Sequence, residues 1–278
     1  MKKILVPTDF SECAQNAEKY AFFLAQKIDA ELVFLHVINT PVDWSKLSKE
    51  QEDLFPDSKE AIAHSKKRLN ELVKHAESNK IKSRKVLIFN NTNEKIHRFV
   101  EDEQIDLVVM GSHGVYGFKD YILGTNTYSM MRNSKVPVIV VKKLPEKLKL
   151  EKLVIATNFK AETGITFRMV ENLMEILQVK LIVLYVNTPT YFLETNDIMS
   201  IGKTFLDEFA SYEHEIHIID SFREERGIVQ FAEKTNSDGI AVITHGKSDL
   251  QQYFSPSVSE NLVGLTEKPI ISIKAAKK

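Results

Sequence analysis

The sequence is poor in cysteine, unbiased in charge and without a long apolar run. Its single cysteine, Cys13, excludes an intramolecular disulfide framework and a cysteine-rich zinc site. Lys plus Arg number 37 and Asp plus Glu number 38, a formal charge of −1. No global electrostatic drive therefore pulls the chain towards nucleic acid or an anionic membrane. The opening Met-Lys-Lys resembles the basic start of a signal segment, but the apolar run Ile4-Leu5-Val6 stops at Pro7-Thr8-Asp9. No stretch approaches the roughly 20 apolar residues that span a bilayer. A soluble, cytoplasmic protein is expected. With 43% hydrophobic and 27% charged residues, the composition is that of folded rather than disordered chains.

What the sequence does contain is an internal repeat. Lys-Lys-Ile-Leu-Val-Pro-Thr-Asp-Phe at 2–10 resembles Glu-Lys-Leu-Val-Ile-Ala-Thr-Asn-Phe at 151–159. The offset of 149 persists through Leu24/Leu173, Leu32/Leu181, Leu35/Leu184 and Val37/Val186. Later the offset is 132, in Ile96/Ile228, Phe99/Phe231, Asp106/Asp238, His113/His245 and Pro137/Pro269. The second copy is thus 17 residues shorter, and most of the difference is expected within Trp44–Asp57, which is charged and lacks clean periodicity. The chain reads as a domain at 1–143, a linker at 144–150 and a second domain at 151–278.

Each copy alternates short β-branched runs with longer amphipathic segments. In the first, strands are expected at Lys3–Val6, Glu31–Val37, Arg84–Phe89, Asp106–Met110 and Pro137–Val141. Helices are expected at Ser11–Ile28, Ser58–Ser78, Glu94–Glu103 and Thr125–Asn133, with Ser11 as an N-cap. Such alternation indicates parallel strands joined by right-handed crossovers. The continuous apolar runs 107–110 and 138–141 fit strands covered on both faces. Pro145 and the charges around it should keep the linker wet.

A glycine-rich segment carries the chemistry. Gly111, Gly114 and Gly117 follow the fourth strand, and Gly124 with Thr125, Asn126 and Thr127 opens the fourth helix. Glycine lets backbone N–H groups approach an anion, and a helix start adds unpaired N–H groups and a positive dipole end. In open α/β sheets, ligands bind at this carboxyl edge of the strands. The same glycines also serve where a chain only turns, and Thr125 where a helix is only capped. On these residues alone both readings stand.

Pro7-Thr8-Asp9-Phe10-Ser11, Leu35-His36-Val37 and Gly111-x2-Gly114-x9-Gly124-Thr125, in that order, resemble the universal stress protein family, in its ATP-binding branch. The resemblance implies two tandem five-stranded parallel α/β domains of Rossmann-like, adenine nucleotide alpha hydrolase-like type. It implies ATP, with or without Mg²⁺, across the strand ends of the first. Asp9 and Val37 would hold the adenosine end, and Gly111, Gly114 and Gly124 would lie against ribose and phosphates. Thr125 and Thr127 would bond phosphate oxygens. Pro7, Thr8, Met110, His113 and Asn126 complete the implied ligand set. Asn126 departs from the apolar residue frequent at that position of the family. Asp9 also suits a helix cap, a simpler role.

The second copy keeps the pattern of the fold and loses the site: Asp9 becomes Asn158, Pro7 becomes Ala156, Gly111 becomes Ile243, Gly117 becomes Asp249 and Gly124 becomes Pro256. His245-Gly246-Lys247-Ser248 imitates the end of a Walker A motif, but its leading glycine falls at Ala241. His214 and His217 are expected on opposite faces of a strand and so not to share a metal. Cys13 reads as a small core residue. No catalytic set is visible, and the resemblance implies binding and regulation in a stress response more than turnover. A slow ATPase or phosphotransferase using the same pocket, and a nucleotide-free interaction module, remain alternatives. Val136–Lys142 and Lys268–Lys274 match in each copy and are expected to pair antiparallel, closing the chain into an intramolecular pseudo-dimer; further oligomerisation is left open.

Overall fold

The computed structural model describes residues 1–89, 96–113, 123–244 and 258–275. The first half runs β1 (Lys3–Pro7), α1 (Glu12–Ile28), β2 (Glu31–Ile38), α2 (Lys49–Glu52), α3 (Pro56–Ser78), β3 (Ser83–Phe89), α4 (Ile96–Asp102), β4 (Leu107–Gly111), α5 (Thr125–Asn133) and β5 (Val138–Val141). The second runs β6 (Lys152–Ala156), α6 (Gly164–Leu177), β7 (Lys180–Asn187), α7 (Thr195–Phe209), β8 (Ile216–Asp220), α8 (Glu224–Lys234), β9 (Gly239–Thr244), α9 (Val258–Leu265) and β10 (Ile270–Lys274).

The local chemistry explains the boundaries. Ser11 caps α1 by accepting the Ala14 N–H at 3.2 Å, and Asp29 ends the helix in the left-handed region at φ 51°. Ala14, Ala17, Ala21 and Leu24 line its buried stripe. The start expected at Glu94 for the third helix falls outside the described residues, and α4 is described from Ile96. Trp44–Asp57 is more ordered than its composition indicates. Trp44 is buried and stacks on Phe89 at 6.5 Å, and Ser48 forms a capping box with Gln51 at the start of α2.

The ten strands among the described residues form one sheet in the order β3-β2-β1-β4-β5-β10-β9-β6-β7-β8. The order of the second half mirrors that of the first, and every pairing is parallel except β5 with β10. At that seam Val140 faces Ile270, Ile139 faces Ile271 and Val138 faces Ser272. All but the serine are buried apolar side chains, each worth about 1.5–3 kcal/mol when removed from water. One apolar cluster fills the face covered by α1, α3, α6 and α7, and a second fills the face covered by α4, α5, α8 and α9. The central strands are therefore dry on both sides, which is why they read as unbroken apolar runs.

The two repeat offsets hold as structure. Asp106 accepts the N–H groups of Lys2 and Lys3 at 2.7 and 2.9 Å, and Asp238 accepts those of Glu151 and Lys152 at 2.9 and 3.1 Å. The linker is less wet than expected. Leu150 is buried, its carbonyl accepts the Lys27 ammonium at 2.9 Å, and Lys149 pairs with Asp238.

Candidate functional site

The carboxyl ends of β1, β2 and β4 lie side by side, because β1 pairs with both of the others. At the end of β1, the Thr8 N–H continues the ladder by donating to the Leu35 carbonyl at 2.8 Å. The Thr8 hydroxyl donates to Glu18 Oε1 at 2.6 Å and accepts the Phe10 N–H at 3.0 Å. Asp9 Oδ1 accepts the Ser11 N–H at 3.1 Å, which leads the chain into α1. Phe10 adopts a left-handed φ of 65°, uncommon for an aromatic residue, and these bonds hold it there.

His36 and Val37 are consecutive in β2 and so present opposite faces. His36 Nδ1 lies 2.7 Å from the Thr8 carbonyl; since a carbonyl only accepts, Nδ1 carries the proton. Burial pushes the His36 pKa down, against the opposing pull of the Thr8 carbonyl and of Asp9. The Phe10 ring packs against His36 at a tilt of 31°, with centroids 4.6 Å apart, and the Arg68 guanidinium lies 5.6 Å from the Phe10 centroid.

At the end of β4, Met110 is buried and Gly111 meets the first turn of α1. A Cβ at Gly111 would lie 2.9 Å from the Cys13 carbonyl carbon and 3.1 Å from the Ala14 nitrogen. This glycine is required by packing, independently of any ligand. Ser112 N–H donates to Cys13 Sγ at 3.2 Å, and Ser112 Oγ lies 3.0 Å from His113 Nδ1. Cys13 is buried, as its reading as a small core residue requires. His113 borders a cleft of about 450 Å³ between the halves, where Glu12, Asn16 and Lys142 face Leu265 and Glu267.

α5 is tied to this edge by two bonds. The Gly124 N–H donates to the Ser112 carbonyl at 2.8 Å, and the Thr127 hydroxyl donates to the Gly111 carbonyl at 2.8 Å. The Gly124 N–H and the Thr127 hydroxyl are therefore engaged within the protein, and Thr127 is buried. Thr125 and Asn126 are exposed at the first turn, and Gly124, the N-cap, supplies no side-chain oxygen. The structure thus brings Pro7, Thr8, Asp9, Val37, Met110, Gly111 and the start of α5 to one edge of the sheet. Gly114 and Gly117 lie outside the described residues, as do His245 to Ser257 of the second half.

The second half repeats the first turn. Thr157 N–H donates to the Leu184 carbonyl at 3.0 Å, the Thr157 hydroxyl accepts the Phe159 N–H at 3.1 Å, and Phe159 has φ 55°. Its surroundings differ: Phe167 and Tyr185 stand where the first half has Glu18 and His36, and Tyr185 stacks on Phe159 at 5.8 Å. Two features escape the sequence reading. Glu18 is one, although a glutamate inside an apolar stripe, with phenylalanine at the repeat position, was a usable signal. The other is His214, which precedes β8 rather than lying in it and is buried against Glu171 at 2.7 Å; both oxygens of Glu171 also accept the Ser211 N–H. No group of three or more potential metal ligands occurs among the described residues.

Comparison with known proteins agrees with this geometry. The model of the universal stress protein family matches residues 1–142 and again 149–274. Universal stress protein MJ0577 of Methanocaldococcus jannaschii is 30% identical over 154 residues, covering 51% of this chain and 95% of that protein. Universal stress protein G of Escherichia coli O157:H7 is 27% identical over 143 residues, covering 51% of this chain and 99% of that protein. A universal stress protein structure from Archaeoglobus fulgidus shares the fold along 99% of this chain and 98% of its own, with TM-score 0.75 at 21% identity. With one strand order built twice and one family pattern matched twice, the chain is a tandem, two-domain member of the universal stress protein family.

Proposed function

We propose that the first half binds ATP as a regulatory ligand and that the chain is a cytoplasmic stress-response protein. The observation that carries this reading is the start of α5. Its first N–H groups have no side-chain cap, and it is anchored to the end of β4 on the edge that also holds Asp9 and Val37. Such a helix start attracts phosphate. In this reading Asp9 and Val37 hold the adenosine end. The N–H groups at Thr125, Asn126 and Thr127 face the phosphates, with the Thr125 hydroxyl beside them. Gly111 and Thr127 serve by fixing the frame, and Met110 and His113 flank it. Mg²⁺, when present, accompanies the phosphates.

The second half, with Asn158 and Ile243 in place of Asp9 and Gly111, does not take ATP in the same way. Its role is to cover β5 through β10, so that domains at 1–143 and 151–278 form an intramolecular pseudo-dimer across the 144–150 linker. Titration calorimetry on the whole chain is expected to give close to one ATP per chain, with weaker binding in Asp9→Asn. Two ATP per chain, or none, would refute the reading. Steady release of phosphate with Mg²⁺ would recast the same site as a slow ATPase.

A further inference from the structure

Glu18 sits in the buried stripe of α1, with 5% of its surface exposed. A carboxyl taken out of water is costly unless it is partnered, and apolar residues often serve such positions as well. The second half provides an internal control. Phe167 occupies the repeat position, fully buried, and the Thr157–Phe159 turn there keeps the same hydrogen bond and the same left-handed φ. The turn therefore folds without a carboxyl beneath it. The buried acid of the first half calls for a reason other than folding, and its one short hydrogen bond runs to Thr8, next to Asp9.

We infer that Glu18 is a positioning residue for the nucleotide site whose protonation tunes affinity, the neutral form supporting tighter binding of an adenine nucleotide. The inference rests on the ATP reading given above. The groups around Glu18 define the coupling. From the β1–α1 turn come the Thr8 hydroxyl and the Asp9 carboxylate, from α3 the Arg68 guanidinium, and from α1 itself Lys19. His36 of β2 and His64 of α3 flank the neighbouring Phe10 ring. Burial raises the Glu18 pKa and Asp9 adds to the rise, while the Thr8 bond, Arg68 and Lys19 oppose it.

A nucleotide seated against Asp9 excludes water from that carboxylate and adds negative charge of its own. Both effects strengthen the repulsion felt by an ionised Glu18, so binding draws a proton onto it. The neutral carboxyl still accepts the Thr8 hydroxyl through its carbonyl oxygen, and the turn keeps its shape. By linkage, affinity rises as pH falls through the titration of Glu18.

The test is ATP binding by the full-length chain between pH 4 and 8.5, in the unaltered protein and in Glu18→Gln. Every other titrating group, ATP included, is common to both proteins, so the ratio of the two profiles isolates Glu18. The expected ratio changes by about three- to tenfold across the range, as for one charge added or removed near a ligand. Glu18→Gln should match the unaltered protein at the acid end and bind more tightly at the alkaline end. Calorimetry in buffers of different ionisation enthalpy should show a fraction of a proton taken up by the unaltered chain and lost in the variant. Glu18→Leu, apolar like Phe167, should abolish the same uptake if the glutamine variant folds poorly. Parallel profiles and equal proton uptake would overturn the inference while leaving ATP binding intact. Absence of ATP binding by the unaltered chain would overturn both readings together.

Discussion

Gly111→Ala isolates what the glycine-rich segment does for the fold from what it does for a ligand. The added Cβ would stand 2.9 Å from the Cys13 carbonyl carbon, 3.0 Å from its oxygen and 3.1 Å from the Ala14 nitrogen. All three are backbone atoms of the first turn of α1, so no side chain can swing aside. Ordinary contact needs a retreat of roughly half an ångström by either α1 or the end of β4. That retreat would stretch the Ser112–Cys13 hydrogen bond of 3.2 Å and pull at the Thr127–Gly111 bond of 2.8 Å. Overpacking of this kind costs about 1–3 kcal/mol. Loss of glycine's freedom in the unfolded chain returns about 0.4–1 kcal/mol. The net expectation is a loss of about 1–2 kcal/mol, or roughly 2–8 °C in the melting temperature of a domain of this size. Thermal denaturation of the ligand-free protein, followed by circular dichroism, reads the effect before any nucleotide is added. A melting temperature within 1 °C of the unaltered protein would show that the Cβ fits, and the packing account of Gly111 would fall.

Three further expectations follow from buried groups. Val140→Glu places a carboxylate in the β5–β10 seam, where Val140 faces Ile270, and should lower stability by at least 3 kcal/mol and promote aggregation. Unchanged hydrodynamic size and melting temperature would show that the seam does not hold the halves together. Glu171→Ala leaves His214 and the Ser211 N–H without their partner in a dry site and should cost about 2–4 kcal/mol by urea denaturation, whereas a loss below 0.5 kcal/mol would deny the pair a structural role. For Glu18 the sign is set by burial, which raises its folded pKa above the unfolded value near 4.5. The folded state then holds the proton more tightly, so Glu18's contribution is full below pH 4.5 and is lost as pH rises through the folded value. Glu18→Gln should therefore gain stability over the unaltered protein at pH 8 and none at pH 4; a difference independent of pH would contradict this.

The parts of the fold legible in the sequence are those that depend on burial of whole segments. Leu107 to Met110 and Val138 to Val141 lie in strands dry on both faces, so their apolar runs stand out, and the repeat of Lys3 at Lys152 survives because both begin a strand paired on two sides. Ser11 was legible because capping is local. What escaped depends on where a side chain turns after folding. Nothing in Gly124-Thr125-Asn126-Thr127 tells that the Thr127 hydroxyl points inward to Gly111 or that the Gly124 N–H serves Ser112. These bonds join residues that neighbouring elements bring together. Trp44 looked like part of a charged loop because one buried aromatic sets no period. Leu150 was counted with its charged neighbours, although it is the residue that enters the core ahead of β6.

The divergence between the halves is one coupled change rather than a scatter of substitutions. In the first half, α1 begins at Glu12 and lies close along β4, and only glycine at 111 permits that approach. Ile243 holds the equivalent position in β9, as the register of β9 with β10 repeats that of β4 with β5. A branched side chain there would collide with a helix that began as α1 does. The second half answers with a 3₁₀ turn at Ala161–Thr163, so α6 starts at Gly164, three positions later by the repeat offset than α1. Accordingly α6 touches β9 much less than α1 touches β4. Glu18 and His36 give way to Phe167, which has no polar group, and to Tyr185, whose ring stacks on Phe159. Each change trades the close helix approach or the buried polar groups of the first half for bulkier side chains in the second. The elements facing β5 keep their register throughout, because losing that contact would expose an apolar strand edge in both halves.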